Sequence, residues 1–327
     1  MSEEGLEARE LSSRVRIALT GPTGFIGSAV LRELARRRET GALVVTALGR
    51  RATGEVRALA DEWRYADLAD AESLRGVCRD ADVLLHLGGV LGPTPEDCHT
   101  VNVLGTAALM GEARGAGLAR TVHLSTAAVY GRGPHRGIGV DGVAPAPVSA
   151  ASASRLEAER YALDAGAVVL RPGLVLGEGD RWVVPALAEL VRRVPALWDG
   201  GRARLSTVAV DDLARLVVGL ALDGDGGGVR AGVYHASHPE PVTSGDLLRT
   251  LADLGVLPRV SESWPWERCL EQLRRTEGRV SERQLSLVAL DHWYASEEIW
   301  RLTDCPPGPG SLHRLAGAAE WYRSLGR

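Results

Sequence analysis

The loop Gly21-Pro22-Thr23-Gly24-Phe25-Ile26-Gly27 constrains the fold of this chain more than any other feature. A β-branched run precedes the loop and a helical pattern follows it, which is the context in which glycine motifs bind dinucleotides. Gly21 permits a tight turn, Gly24 lets the backbone approach a pyrophosphate, and Gly27 lets helix and strand pack closely. The helix N-terminus offers free N–H groups to phosphates. We therefore predict a nicotinamide dinucleotide site formed by Gly21, Thr23, Gly24, Phe25, Ile26 and Gly27.

Short apolar runs alternate with helical patterns through the first half of the chain, as they do in parallel βαβ units. Strands are predicted at 14–20, 43–48, 62–65, 82–87, 121–125 and 168–171. Helices are predicted between them at 28–38, 70–79, 102–116 and 152–164. This order predicts an α/β fold with a Rossmann-type doubly wound parallel sheet.

The regular alternation weakens after Arg171, where Gly, Pro and Trp accumulate. Helices are predicted there at 185–193, 211–222, 244–254 and 311–324. Such segments form a smaller C-terminal lobe that caps the crevice at the carboxyl ends of the strands. We divide the chain into a flexible tail (1–13), a cofactor-binding domain (14–171), and a mainly substrate-binding lobe (172–327) with elements that return to the core.

Composition excludes several classes of function. The 327 residues carry a formal net charge of −4, so no basic field exists to attract nucleic acid or anionic lipid. No apolar run approaches the ~20 residues that span a bilayer, and the polar N-terminus does not resemble a signal peptide. Four scattered cysteines do not indicate a metal site. We expect a cytoplasmic monomer or homodimer that binds a small molecule.

The residues after the second predicted strand indicate whether the cofactor is NAD or NADP. NAD-binding proteins place an acid there for the ribose hydroxyls, whereas NADP-binding proteins place an arginine beside the 2′-phosphate. This chain has Leu48-Gly49-Arg50-Arg51 and no acid. Arginine forms bidentate, charge-assisted pairs with phosphate. NADPH/NADP+ is therefore the predicted cofactor, bound through Arg50 and Arg51; the alternative is that both are ordinary surface arginines.

Further segments match one family in order and spacing. They are Asp67-Leu68, His86-Leu87-Gly88-Gly89, Asn102-Val103-Leu104-Gly105-Thr106, Ser125-Thr126-Ala127-Ala128-Val129-Tyr130-Gly131 and Leu170-Arg171-Pro172-Gly173-Leu174-Val175-Leu176-Gly177. With the three-glycine loop, they resemble the extended short-chain dehydrogenase/reductase family. The resemblance implies cofactor contacts from Asp67, Leu68, Leu87, Gly88, Gly89, Asn102, Pro172, Gly173, Leu174 and Val175. It also places Thr126, with Ser125 beside it, at the family's catalytic Ser/Thr position.

The resemblance breaks at the family's Tyr-x-x-x-Lys pair, in which tyrosine exchanges a proton with the substrate oxygen. Glu159, which follows the lysine by four residues in the family, puts Arg155 at the lysine position and Ala151 at the tyrosine position. All 38 basic residues of the chain are arginine, so a shifted register cannot restore a lysine. Arg155 remains a candidate contact for the cofactor ribose or phosphate.

Two classes of function fit this loss. One is a ketoreductase whose substrate supplies its own proton from a phenolic hydroxyl beside the ketone. The lost pair and the arginine-only composition resemble atypical ketoreductases that act on angucyclinone-type aromatic polyketides, which implies an aromatic polyketide substrate. The other is a non-catalytic NADP-binding regulator. A nucleotide-sugar epimerase or dehydratase is a third alternative, although those reactions depend on the missing tyrosine.

Single residues around the predicted site have competing interpretations. Tyr130, Ser149 and Trp182 are candidate substrate contacts; Tyr130 is equally consistent with packing, and Ser149 with capping a helix. His123, inside an apolar strand, is expected to be a core histidine with its hydrogen bonds satisfied. The tryptophans after Arg171 suit core packing individually, but together they favour an aromatic ligand.

Overall fold

The computed structural model describes residues 14–39, 41–92, 94–222 and 228–325. The tail expected at 1–13 lies outside the described residues. Within the described residues, no helix is both long enough and apolar enough to cross a membrane.

Seven of the strands in the described residues form one parallel sheet. All the strands, in chain order, are β1 Val15–Thr20, β2 Leu43–Gly49, β3 Glu62–Tyr65, β4 Val83–His86, β5 Arg120–Leu124, β6 His135–Ile138, β7 Val168–Arg171, β8 Leu174–Leu176, β9 Leu197–Trp198, β10 Arg204–Leu205, β11 Thr207–Ala209, β12 Gly232–His235, β13 Val242–Thr243, β14 Ser263–Trp264 and β15 His292–Tyr294. The large sheet has the order β3-β2-β1-β4-β5-β7-β12. The direction of the order reverses between β1 and β4, which is where ligands bind in such folds.

Helices cover both faces of this sheet and build the lobe. They are α1 Phe25–Arg38, α2 Gly54–Leu59, α3 Pro95–Cys98, α4 Gly105–Ala116, α5 Ala150–Asp164, α6 Val183–Arg193, α7 Val210–Leu222, α8 Ser244–Asp253, α9 Trp266–Arg275, α10 Glu282–Ala289, α11 Glu297–Leu302 and α12 Ser311–Leu325. A π-helical segment, His99–Leu104, leads directly into α4. The predicted doubly wound α/β fold is confirmed.

Alternation along β1 separates two apolar layers. Ile17 and Leu19 face one cluster together with residues of α1 and α7, whereas Ala18 faces the opposite cluster with Leu109 of α4 and Ala162 of α5. Successive side chains of a strand point to opposite faces, so a sheet covered on both sides needs apolar residues at every position. All of the last four residues of β1 are buried, as this requires.

The lobe has its own apolar core, and the chain leaves it to rejoin the sheet. Val184 and Leu187 of α6 pack with Leu247 of α8, Leu285 of α10 and Tyr322 of α12. Between these elements, α7 packs against α1 and β12 pairs in parallel with β7. The carboxyl ends of the strands therefore face a crevice with the core on one side and the lobe on the other.

The helix predicted at 70–79 is not present. Only Ala71–Leu74 forms one 3₁₀ turn, and the chain then breaks at Gly76, which adopts φ +68°. A left-handed residue cannot continue a right-handed helix, so the glycine ends the element early.

Candidate active site

The glycine loop has the geometry that its sequence predicts. Gly21 adopts φ +71°, and a Cβ there would lie 2.8 Å from Cα of Gly88. A Cβ on Gly27 would overlap the carbonyl oxygen of Gly21, so only glycine allows α1 to approach the end of β1. The N–H of Gly24 donates to that same carbonyl at 3.0 Å and closes the turn. The first amide groups of α1 therefore face the crevice, ready for an anion.

Thr20 ties the loop to the neighbouring strand end. Its Oγ1 accepts from the N–H groups of Leu87 and Gly88 at 3.1 and 3.0 Å and bonds His86 Nδ1 at 2.8 Å. The other ring nitrogen of His86 bonds Thr106 Oγ1 of α4 at 2.9 Å. Burial, and then the charge of Arg155, lower the pKa of His86 to about 3. A neutral histidine therefore holds the ends of β1 and β4 together.

One cavity fits the adenosine half of a dinucleotide. It lies over the ends of β1, β2 and β4 and is bordered by nine of the nineteen residues predicted to bind the cofactor. These are Gly21, Thr23, Gly24, Arg50, Asp67, Leu68, Leu87, Gly88 and Gly89, together with Pro22, Val90 and Val101. Arg51 is not among the residues that line it, and its side chain is exposed.

A second cavity of about 490 Å³ continues from the first towards the lobe. Its lining includes Phe25, Ile26 and Gly27, at the start of α1, and the predicted residues Thr126, Ser149, Arg155 and Trp182. This volume lies in the range of small-molecule sites. The two cavities together form one crevice for a cofactor and a substrate.

Ala151 and Arg155 both line the second cavity, on the first turns of α5. Arg155 is half-buried, and its Nη1 donates to the carbonyl of Ser125 at 3.4 Å. No carboxylate pairs with it in the described part of the chain. Burial lowers the pKa of Arg155, since a charge is costly to desolvate. A guanidinium and a methyl group thus face the crevice from the two positions that the resemblance assigns to the family's lysine and tyrosine.

The hydroxyl groups that line this cavity form hydrogen bonds with other groups of the protein. Ser149 is the N-cap of α5 and forms a capping box with Ser152, whose Oγ lies 2.9 Å from that of Ser149. Thr126 caps the short turn Ala127–Tyr130, and its Oγ1 accepts from the N–H of Ala128 at 3.1 Å. An accepting hydroxyl keeps its own proton, so Thr126 still has a hydrogen to offer to a ligand.

The side chains of two residues predicted at the site form hydrogen bonds outside the second cavity. Ser125 is buried, and its hydroxyl donates to the carboxylate of Glu159. Tyr130, a candidate substrate contact, is 2% exposed. The Tyr130 hydroxyl accepts from Arg171 Nη1 at 2.8 Å and contacts His235 Nε2 at 2.7 Å, so it does not line the second cavity.

Glu159 and Arg171 form a buried pair beneath the site. Arg171 Nη2 lies 2.5 Å from Glu159 Oε2, and both side chains are at most 5% exposed. With Ser125 and Tyr130, this pair links α5, β5 and β7. The network supports the floor of the cavity from below.

Asn102 and residues 172–175, also predicted to contact the cofactor, do not line either of the two cavities described above. Asn102 is buried, and its amide pairs with both backbone groups of Val90 and with Ser154 Oγ. It shapes the loop that borders the cofactor cavity rather than lining that cavity. Pro172, Gly173 and Leu174 line a third cavity of about 80 Å³ with Thr126, and Val175 is buried.

His123 is buried as predicted, but its hydrogen bonds are not satisfied. Neither ring nitrogen has a partner, and its ring lies 5.0 Å from that of His86. Burial lowers the pKa of His123 well below its ordinary value, so it is neutral. In the parallel pairing of β4 with β5, His86 is the register partner of His123, so their rings lie side by side. The sequence does not show this register, and the contact could therefore not be predicted.

The tryptophans after Arg171 mostly belong to the core. Trp198, Trp264 and Trp300 are buried, and Trp293 lies under the guanidinium of Arg204. Trp182 is the exception, since it is 63% exposed and lines the second cavity. The aromatic contribution to this cavity thus comes from Trp182 and Phe25.

Arg283 is a site residue that the sequence analysis missed. It enters the second cavity from the first turn of α10 in the lobe. The available signal was the capping box Ser281-x-x-Gln284, which marks a helix start and so places residue 283 on its first turn. In the described ranges, no group of acidic, histidine and cysteine side chains is arranged to hold a metal.

The parallel sheet, the glycine loop and the crevice define a Rossmann-class dinucleotide-binding protein. The model of the NAD dependent epimerase/dehydratase family matches residues 17–232, and the chain belongs to that family. This is the extended short-chain dehydrogenase/reductase group that the motifs predicted.

Two relatives are named as reductases. The chain is 29% identical to a 2-alkyl-3-oxoalkanoate reductase of Stenotrophomonas maltophilia, over 88% of this chain and 93% of the relative. It is 32% identical to 4-hydroxy-2-methyl-3-oxo-4-farnesyl-3,4-dihydroquinoline-1-oxide ketoreductase of Stigmatella aurantiaca, over 66% and 67%. The family and these relatives indicate an enzyme of the oxidoreductase or epimerase type.

Solved structures share the fold at lower identity. UDP-glucuronic acid 4-epimerase from Bacillus cereus, in complex with NAD, superposes with a TM-score of 0.73 at 19% identity, covering 96% of this chain and all of that one. MoeE5 in complex with UDP-glucose and NAD gives 0.70 at 21% identity, over 95% and 100%. Both of these structures are complexes with NAD, in agreement with the NAD dependence in the name of the family to which the chain belongs.

Proposed function

We propose that the chain is an NADPH-dependent ketoreductase that reduces a ketone of an aromatic polyketide, of the angucyclinone type, in antibiotic biosynthesis. The substrate carries a phenolic hydroxyl beside the ketone. When bound, NADPH supplies a hydride to the carbonyl carbon. The phenol hydrogen-bonds the carbonyl oxygen and gives it the proton, so the alcohol forms and the resulting phenolate is reprotonated by water.

The observation that carries this proposal is the lining of the second cavity. Of the described residues that line it, none is a tyrosine, lysine, histidine, cysteine or acid. The remaining polar side chains there are hydroxyls and arginines, and neither type titrates near neutral pH. A developing alkoxide still needs a proton. Because no described side chain of this cavity has a suitable pKa, we assign the proton donor to the hydroxyl of the substrate.

The chain's own residues orient the reacting groups and stabilise charge. Thr126 lines the cavity with a free hydroxyl hydrogen, which suits a hydrogen bond to the developing oxyanion. Arg155 supplies a fixed positive charge near the same point, in place of the family's lysine. Trp182 provides an indole face on which a planar ring system stacks.

Arg50 supports the choice of NADPH over NADH. It lines the cofactor cavity at the end of β2, where the ribose of the adenosine half lies in this fold. No acidic residue follows β2 at this point. A guanidinium there suits the 2′-phosphate that distinguishes NADPH.

The names of the two reductase relatives support ketone reduction, since each describes an oxo compound as substrate. The epimerases among the solved structures are at most 21% identical, and a UDP-glucose 4-epimerase of Azospirillum brasilense is 35% identical over only 46% of this chain, so neither likeness assigns a reaction to the chain. A nucleotide-sugar epimerase mechanism also requires the tyrosine that Ala151 replaces.

The test compares a peri-hydroxy aromatic ketone, 8-hydroxy-1-tetralone, with its 8-methoxy ether. NADPH consumption is followed at the nicotinamide absorbance band. We expect oxidation with the hydroxy ketone and a rate at least about a hundredfold lower with the ether, because the proton donor is lost. Equal rates for the two ketones would contradict the proposal.

A non-catalytic regulator is the second candidate, favoured by the loss of both family catalytic residues. It predicts NADPH binding without oxidation across a panel of peri-hydroxy ketones. Calorimetry with NADPH, run beside the turnover assay, separates this outcome from a protein that binds no cofactor.

A further inference from the structure

Arg283 is the least compensated charge in the substrate cavity. It is half-buried, and its Nε is fully enclosed without a hydrogen-bond partner. Within the described ranges no carboxylate pairs with it. Other inner arginines have such partners: Arg171 pairs with Glu159, Arg193 with Glu189, and Arg215 with Asp212.

The surroundings of Arg283 make its charge more costly. It lies in the first turn of α10, where the positive end of the helix dipole disfavours a cation. Burial, and then the like charge of Arg132, lower the pKa of Arg283. A half-buried cation beside another cation and a helix N-terminus favours an anionic ligand.

The cavity provides no such anion of its own. None of its described lining residues is Asp or Glu, while Arg155 contributes a second positive charge from the opposite, core side. The family cofactor's phosphates are bound by the glycine loop and, in our proposal, by Arg50 in the other cavity. The charge of Arg283 is thus left for the substrate.

We propose that Arg283 binds a carboxylate on the substrate, so that the enzyme selects aromatic ketones that carry an acid group apart from the reacting phenol and ketone. Arg283 lines the cavity and its Nε is enclosed, so the two terminal Nη groups of the guanidinium are the donors that can hold a carboxylate in a bidentate pair. This inference rests on the proposed ketoreductase function and names the substrate class that the site admits.

The test uses two 8-hydroxy-1-tetralones that differ at one ring position, one bearing a carboxylic acid and the other its methyl ester. With the wild-type protein and NADPH, we expect kcat/KM for the acid to exceed that for the ester by about tenfold or more. Arg283→Gln should remove this preference by lowering kcat/KM for the acid, and Arg283→Lys should retain part of it. Arg301→Gln, an exposed arginine outside the cavity, is the matched control.

Binding experiments separate this inference from the proposed function. 1-Naphthoate and its methyl ester are titrated into the protein with NADP+, by calorimetry. If no ketone turns over but naphthoate binds in an Arg283-dependent manner, the ketoreductase proposal fails and the carboxylate site stands. If both tetralones turn over equally, or if Arg283→Gln weakens NADPH binding instead, the carboxylate site is overturned.

Discussion

In our proposal, Ala151 and Arg155 stand in place of the family's tyrosine and lysine and so change the chemistry that the site can perform. Replacing a phenol with a methyl group removes the proton donor, and replacing lysine with arginine keeps a positive charge that no longer gives up its proton. Ala151 and Arg155 are four residues apart on α5, and both line the second cavity. The positions were readable from the register set by Glu159, whereas the absence of any substitute donor required the structure.

Thr126 is expected to assist the reaction without being its main donor. Thr126→Ala should lower kcat with a peri-hydroxy ketone only modestly, since the principal proton donor belongs to the substrate. Steady-state kinetics measures this, with the unchanged NADPH affinity as a control for folding. A loss beyond about a thousandfold, or ~4 kcal/mol of barrier, would show that Thr126 is the essential donor.

Arg50 and Arg51 provide a matched pair for cofactor choice. Arg50 lines the adenosine cavity and Arg51 does not. We expect Arg50→Gln to raise the Kd for NADPH by about tenfold while leaving NADH unaffected, because a charged bond to the 2′-phosphate is lost. Arg51→Gln should leave both affinities within about twofold. Calorimetric titration decides this, and equal losses for NADPH and NADH would exclude a 2′-phosphate contact.

Elements of the core were more predictable than elements of the lobe. The strands β1, β2 and β4 stand out because parallel strands buried on both faces are continuously apolar. The helices α9 and α10 were missed, since the chain around them is rich in arginine and glutamate and their apolar residues are few. Arg283 was missed for the same reason: its role depends on how α10 is placed over the sheet.

The pair between α5 and β7 should dominate the stability of the site's floor. Glu159→Gln leaves Arg171 as a buried, unpaired charge, at a cost of about 3–5 kcal/mol of unfolding free energy. Glu157→Gln, on the same helix but 42% exposed, should change stability by less than about 0.5 kcal/mol. Urea denaturation measures both variants; similar values for the two would mean that the buried network contributes little.

At the scale of the whole molecule, buried histidines make stability depend on pH. Burial is the first cause that lowers the pKa of His86 to about 3 and of His235 to about 4, against 6.5 for an ordinary histidine. Above pH 6.5 neither the folded nor the unfolded form is protonated. Below it, the unfolded chain takes up protons that the folded chain cannot, so stability falls as the pH falls.

We expect His86 alone to cost ~2 kcal/mol of unfolding free energy between pH 7.5 and 5, because 1.36 kcal/mol accompanies each pH unit. Urea denaturation at the two pH values measures the loss. His123→Phe, which removes a neighbouring buried imidazole without partners, should reduce the loss. An unfolding free energy that is constant across this range would contradict the assignment of neutral buried histidines.

The path of the chain through the sheet has a consequence for its synthesis. Because β12 joins β7 only after α6 and α7 have been made, the growing chain presents β7 with one row of backbone groups unpaired until residue 235 has emerged. Exposed strand edges of this kind pair with strands of other chains and so promote aggregation. We therefore expect the growing chain to be most prone to aggregation in the interval between the emergence of β7 and that of β12.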